Sequence, residues 1–189
     1  MNYNELSQTA HAAALKNGWY DTVQPINTYL MLIKSELYEA LDAFRGDKYS
    51  GEYVKTNYND LERARKDWHI SVFKTSFRDF VKDTFEDEIA DTAIRIFDFC
   101  GWYGIELGEP KKIQTKLKGQ FDLDLVSMDK LIAANYDIVE KDVLSISLTI
   151  LLGMLESIAE AYNFDLEQHI NLKLAYNATR GYKHGNKVL

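Results

Sequence analysis

At 189 residues the chain is sized for a single domain with one sizeable core. Its hydrophobic share of 46% and charged share of 27% are those of a soluble globular protein, and a net charge of −7 argues against the basic face that binds nucleic acid or an anionic membrane. One cysteine, Cys100, excludes an intrachain disulfide; the opening "MNYNELSQTAH" lacks the basic and apolar regions of a signal peptide, and no run is read as reaching the roughly 20 apolar residues of a membrane span. The expectation is a soluble protein of a reducing cytoplasm, with no nucleic-acid or membrane partner.

Only Pro25 and Pro110 interrupt long runs of helix formers spaced three and four apart, so the fold class expected is all-α. Helices are predicted over 3–17, 26–45, 58–82, 84–103, 109–118, 125–134, 140–162 and 165–179. On the second, Leu30, Ile33, Leu37, Leu41 and Phe44 share one face, while Glu36 and Glu39 share another with Leu32, Ala40 and Ala43. The segment 46–83 differs in composition, and its start, "GDKYSGEYVKTNYND", reads as an exposed, flexible connection. Either a lid or a solvated insertion fits it.

In the fourth helix Thr84 is placed to cap the N-terminus, with Glu86, Asp87 and Glu88 favoured in the first turn by the helix dipole and Gly101 and Gly104 expected to end it. Phe85, Ile89, Ala93, Ile96 and Cys100 form its apolar stripe, and Glu88, Asp91, Arg95 and Asp98 a polar one, on which Asp98 either extends the acidic set or pairs with Arg95, the pair being favoured. A weak echo relates residues 97–117 to 155–174; aligning Ile105 with Phe164 puts Ser147 opposite Glu88 and Ile150 opposite Asp91. A degenerate second helical repeat over about 140–180 and a coincidence of two helical hairpins both remain open. The last segment, 173–187, carries Lys173, Arg180, Lys183 and Lys187 and no acid.

Glu36/Glu39 and Glu88/Asp91 thus repeat one three-residue spacing in two apolar helices. Spacing alone leaves two readings: solvated surface helices, as for Asp83/Glu86 and Asp137/Glu140, or four carboxylates converging on a cation. Two ionised carboxylates about 5 Å apart repel by roughly 3 kcal/mol at an effective dielectric of 20. Four in one place would need cations or protons to coexist with a total stability of about 5–15 kcal/mol, and an all-oxygen set suits a hard divalent ion. No Glu-x-x-His pair precedes His11, His69, His169 or His184, the cysteine count excludes a thiolate zinc site, and no phosphate-cradling glycine loop or nucleophile elbow occurs. Cys100 on its apolar stripe is expected in the core, and Trp19, Trp68 and Trp102 suit core or rim as well as base stacking.

Taken together, "IKSELYEALDAFR", "VKDTFEDEIADTAIRIFDFCGWYGIEL" and "KLAYNATRGYKHGNK", with "AHAAALKNGWYD" near the start, resemble the MazG-like branch of the all-α nucleoside triphosphate pyrophosphohydrolases, the superfamily that includes dimeric dUTPases and phosphoribosyl-ATP pyrophosphohydrolase. The resemblance spans about 1–45, 78–118 and 165–187 and implies one helical-bundle domain, nucleoside triphosphates as the substrate class and a homodimer. It implies a magnesium site, with manganese as a possible substitute, formed by Glu36, Glu39, Glu88 and Asp91, with Glu39 as the candidate catalytic base. It also implies phosphate contacts from Lys173, Asn177, Arg180, Lys183 and Lys187. The chain departs from the pattern in the 48 residues between Glu39 and Glu88, a longer interval than usual, and in the tail "HGNK", where a second lysine after the glycine is more typical.

Overall fold

The structure, a computed structural model, describes residues 1–67, 69–109 and 120–183. Among these residues there are eight helices and no strand: α1 (Tyr3–Lys16), α2 (Ile26–Arg45), α3 (Glu52–Lys66), α4 (Ile70–Phe80), α5 (Phe85–Tyr103), α6 (Phe121–Ala133), α7 (Lys141–Tyr162) and α8 (Leu166–Ala178). The all-α expectation holds. The helix expected at 109–118 lies almost wholly outside the described residues, as do Trp68 and Lys187.

At the centre stands α5, packed by α1, α2, α7 and α8. Its predicted stripe of Phe85, Ile89, Ala93, Ile96 and Cys100 is buried, and α2 meets it with Leu30, Ile33 and Leu37, all fully buried. Thr84 caps α5 as expected, accepting from the Asp87 N–H, and Gly104 ends the helix in the left-handed conformation at φ 68°. Gly101, expected at the end of the helix, lies within it and instead permits the close approach of α1, since a Cβ there would lie 2.5 Å from the Ser7 carbonyl oxygen.

The segment between the acidic helices departs from expectation. What reads as one helix over 58–82 is two, α3 and α4, which turn back on each other beyond the α3 cap at Asp67. Helix α3 also begins at Glu52, inside the stretch expected to be an exposed connection. The physical reason is tertiary: Val54 and Leu61 of α3, Phe73 and Phe77 of α4 and Leu172 of α8 bury one another in a second apolar cluster. Glu86 secures the short entry, accepting from the N–H groups of Ser50 at 2.9 Å and Gly51 at 3.2 Å. The insertion is therefore a docked hairpin.

Helix α7 corrects the membrane expectation, because its 22 residues are long and apolar enough to cross a bilayer by length and composition. Its inner face, Leu144, Leu148, Leu151, Leu152, Leu155 and Ile158, is nonetheless buried in the core. The echo between the two halves has a local counterpart. Asn163 ends α7 in the same left-handed conformation as Gly104, and the N–H groups of Ile105 and Phe164 both reach back five residues, to Cys100 and Ala159.

Candidate metal centre

Helices α1, α2, α5 and α8 enclose a cleft of about 230 Å³. Its floor is acidic because one acid of α2 faces two of α5. Glu36 of α2 and Glu88 and Asp91 of α5 each offer a carboxylate oxygen, and the three oxygens lie within 4.8 Å of one another. Glu36 and Glu88 are buried, Asp91 half-buried. Glu39 lines the same cleft from an exposed position at its lip and is not a member of this trio.

Neutralisation comes from neighbours not assigned to that task by the sequence. Arg95 Nε donates to Glu36 Oε1 at 2.9 Å, and Lys173 Nζ donates to Asp87 Oδ2 at 2.6 Å and lies 2.7 Å from Asp91 Oδ2. The expected Arg95–Asp98 pair gives way to this arrangement: Asp98 accepts from the Tyr20 hydroxyl at 2.9 Å and lies 3.1 Å from His11 Nδ1. Burial pushes the Glu88 carboxyl up to about 9, Lys173 opposing the rise and Asp87, Asp91 and Glu36 adding to it. Glu36 is also raised, chiefly by burial, with Arg95 pulling the other way. Arg95 and Lys173 offset the cluster's charge, and the raised pKa of Glu88 favours its protonated form.

Asp87 belongs to the site although the spacing argument did not select it. It is 1% exposed, accepts the Asp83 N–H at 3.0 Å as well as Lys173, and leaves Oδ1 buried without a hydrogen-bond partner. With Asp83 and Glu88 it forms a second trio whose carboxylate oxygens lie within 4.8 Å. The donor set fits a hard divalent cation: converging carboxylate oxygens, no thiolate and no imidazole. An acceptor-only oxygen stranded in the interior adds to that fit.

The remaining predicted residues divide. Asn177 and Arg180 line the cleft, Asn177 with a buried, unpartnered Oδ1, and Lys82 joins them on the wall. Lys173 lines it too, with its ammonium committed to acids. Lys183 is outside the lining; its N–H donates to the Asn17 carbonyl at 2.9 Å while its ammonium stands over the Tyr182 ring. Tyr182 donates to Asp21, so the segment after α8 is tied to the α1–α2 connection. Trp19 lines the cleft beside Ala10, Ala13 and Ala14, whereas Trp102 packs among Tyr20, Tyr29 and Phe99. Cys100 is in the core, its thiol pushed up by burial. Comparison with protein families, with curated proteins and with solved structures finds no match to this chain.

Proposed function

We propose that the protein is a magnesium-dependent nucleoside triphosphate pyrophosphohydrolase, converting an NTP or dNTP to the monophosphate and pyrophosphate. The observation that carries this reading is the convergence of Glu36, Glu88 and Asp91 within 4.8 Å on the floor of a cleft whose walls also hold Arg180, Asn177 and Lys82. An acidic floor beneath a basic wall suits a polyanion that arrives with divalent cations.

Glu36, Glu88 and Asp91, with Glu39 beside them, would hold magnesium, or manganese in its place. Such an ion, when bound, neutralises phosphate oxygens and lowers the pKa of a coordinated water. Arg180 and Lys82 bind and orient the phosphate oxygens, and Asn177 offers its amide to them. Glu39, exposed at the lip, accepts the proton of the water that opens the phosphoanhydride bond. Trp19 and the alanines of α1 supply a flat apolar wall for a base. Every residue of this arrangement lies on one chain.

One observation favours a second reading, a nucleotide- or partner-binding module without turnover: Arg95 and Lys173 already engage Glu36 and Asp91. A screen of standard and modified NTPs and dNTPs, with and without magnesium and resolving pyrophosphate from single phosphate, separates the two. Magnesium-dependent monophosphate and pyrophosphate are the expected products. Absence of product from folded protein, with a thermal shift from magnesium and a non-hydrolysable nucleotide, selects the binding module.

A further inference from the structure

Lys173 is placed by resemblance among the phosphate contacts, yet its surroundings assign it another task. Only 4% of the residue is exposed, and its ammonium lies 2.6 Å from Asp87 Oδ2 and 2.7 Å from Asp91 Oδ2. To reach a phosphate it would have to abandon Asp87, which is 1% exposed, and an unpaired carboxylate at that depth is among the costliest states a protein interior can hold. An aromatic ring borders the ammonium as well. The Phe77 ring of α4, fully buried, has its centroid 6.0 Å from Nζ and stacks on Tyr176 at 4.5 Å.

We infer that Lys173, anchored by Asp87 and bordered by Phe77, is a positioning residue for Asp91 rather than a phosphate ligand; this rests on the metal site proposed above. Asp87 and Asp91 are four apart on α5 and share a face, so one lysine from α8 spans both. Asp87 is itself fixed by the Asp83 N–H at 3.0 Å. Order therefore passes from the start of α5 through Asp87 to Lys173 and on to Asp91, as outer partners orient a metal's direct ligands. Through Phe77 the inserted hairpin forms the back wall of the same unit. An insertion distant from the reacting atoms thereby acts on the geometry of an acid that faces them.

The test is Mn²⁺ binding without nucleotide, read by electron paramagnetic resonance, beside steady-state turnover, for wild type, Asp87→Asn, Lys173→Met and the double variant. Asp87 lies behind the cleft wall, so a nucleotide does not touch it. Each single variant is expected to weaken Mn²⁺ binding and lower kcat by about 10–100-fold, with KM for nucleotide within about twofold of wild type. The double variant should be no worse than the worse single one, because both break the same chain of contacts. A raised KM in Lys173→Met with Mn²⁺ binding unchanged, or wild-type Mn²⁺ binding in Asp87→Asn, overturns the inference. Should Lys173→Met fail to fold, the near-isosteric Asp87→Asn decides alone. If the wild type binds Mn²⁺ but turns over no nucleotide, the hydrolase reading falls while the binding comparison still judges the positioning role; a wild type that binds no Mn²⁺ overturns both.

Discussion

In the proposed metal site Glu88 would make cation affinity a function of pH. Burial pushes its carboxyl up to about 9 from an ordinary 4.5, so at neutral pH the metal-free protein carries a proton where an incoming ion needs a charge. Displacing that proton costs about 4 kcal/mol at pH 6, about 2.7 at pH 7 and close to nothing at pH 9. Apparent affinity should therefore rise about tenfold per pH unit from 6 to 9 and then level off. Stability of the metal-free chain runs the other way. Above 4.5 the unfolded chain ionises while the folded one keeps its proton, so Glu88 removes about 3 kcal/mol of stability between pH 4.5 and 7 and continues to do so up to about 9. Calorimetric titration with Mg²⁺ or Mn²⁺ in buffers of different ionisation enthalpy should find close to one proton released per ion bound at pH 7. In Glu88→Gln both pH slopes should flatten. Affinity constant from pH 6 to 9, with no proton released, would refute the reasoning.

Three further outcomes follow from other residues. Glu36→Gln and Asp91→Asn should each abolish nucleotide turnover while circular dichroism reports an intact helical fold; near-normal turnover in both would remove the metal-site assignment. Burial depresses His169 below its ordinary 6.5, so its contribution is complete above 6.5, where folded and unfolded forms are both neutral, and is lost as pH falls from 6.5 toward the folded value. Because His169 Nε2 lies 3.3 Å from Ser50 Oγ at the entry to the hairpin, hydrogen-exchange protection factors in α3, corrected for the intrinsic pH dependence of exchange, should fall over that acid window before those in α5 do. Gly101→Ala should destabilise the fold by about 1–3 kcal/mol in a denaturant titration, since the new methyl meets the Ser7 carbonyl of α1 rather than a movable side chain.

The acidic helices were the most legible part of the sequence. Thr84, the acids of the first turn and Gly104 bracket α5, and the apolar stripes of α2 and α5 are continuous, so spans and facing sides could be read. The α3–α4 break escaped because Asp67 stands where neither glycine nor proline gives warning, and α3 is stabilised mainly by partners on α4 and α8. Within the site, Glu36 and Glu39 lie about 60° apart around α2. One consequently points into the cluster and the other toward its lip, a difference that the three-residue spacing does not contain. Asp87 was hidden because "EDE" at a helix start reads as solvated, dipole-favoured acid. Its buried partner is Lys173, distant in sequence, and no local pattern announces that meeting.

The docked hairpin has a consequence for the order of assembly. Joining Glu39 to Glu88 across 48 residues costs only about 1.2 kcal/mol more closure entropy than a connection a quarter as long. Helices α2 and α5 can thus meet first, driven by their own apolar faces, while the hairpin is still undocked. In such a species the carboxylates are already gathered but Phe77 has yet to close behind Lys173. A joint that forms last is also the first to loosen, so native-state opening should reach the back of the candidate metal centre before the helices that carry its acids separate.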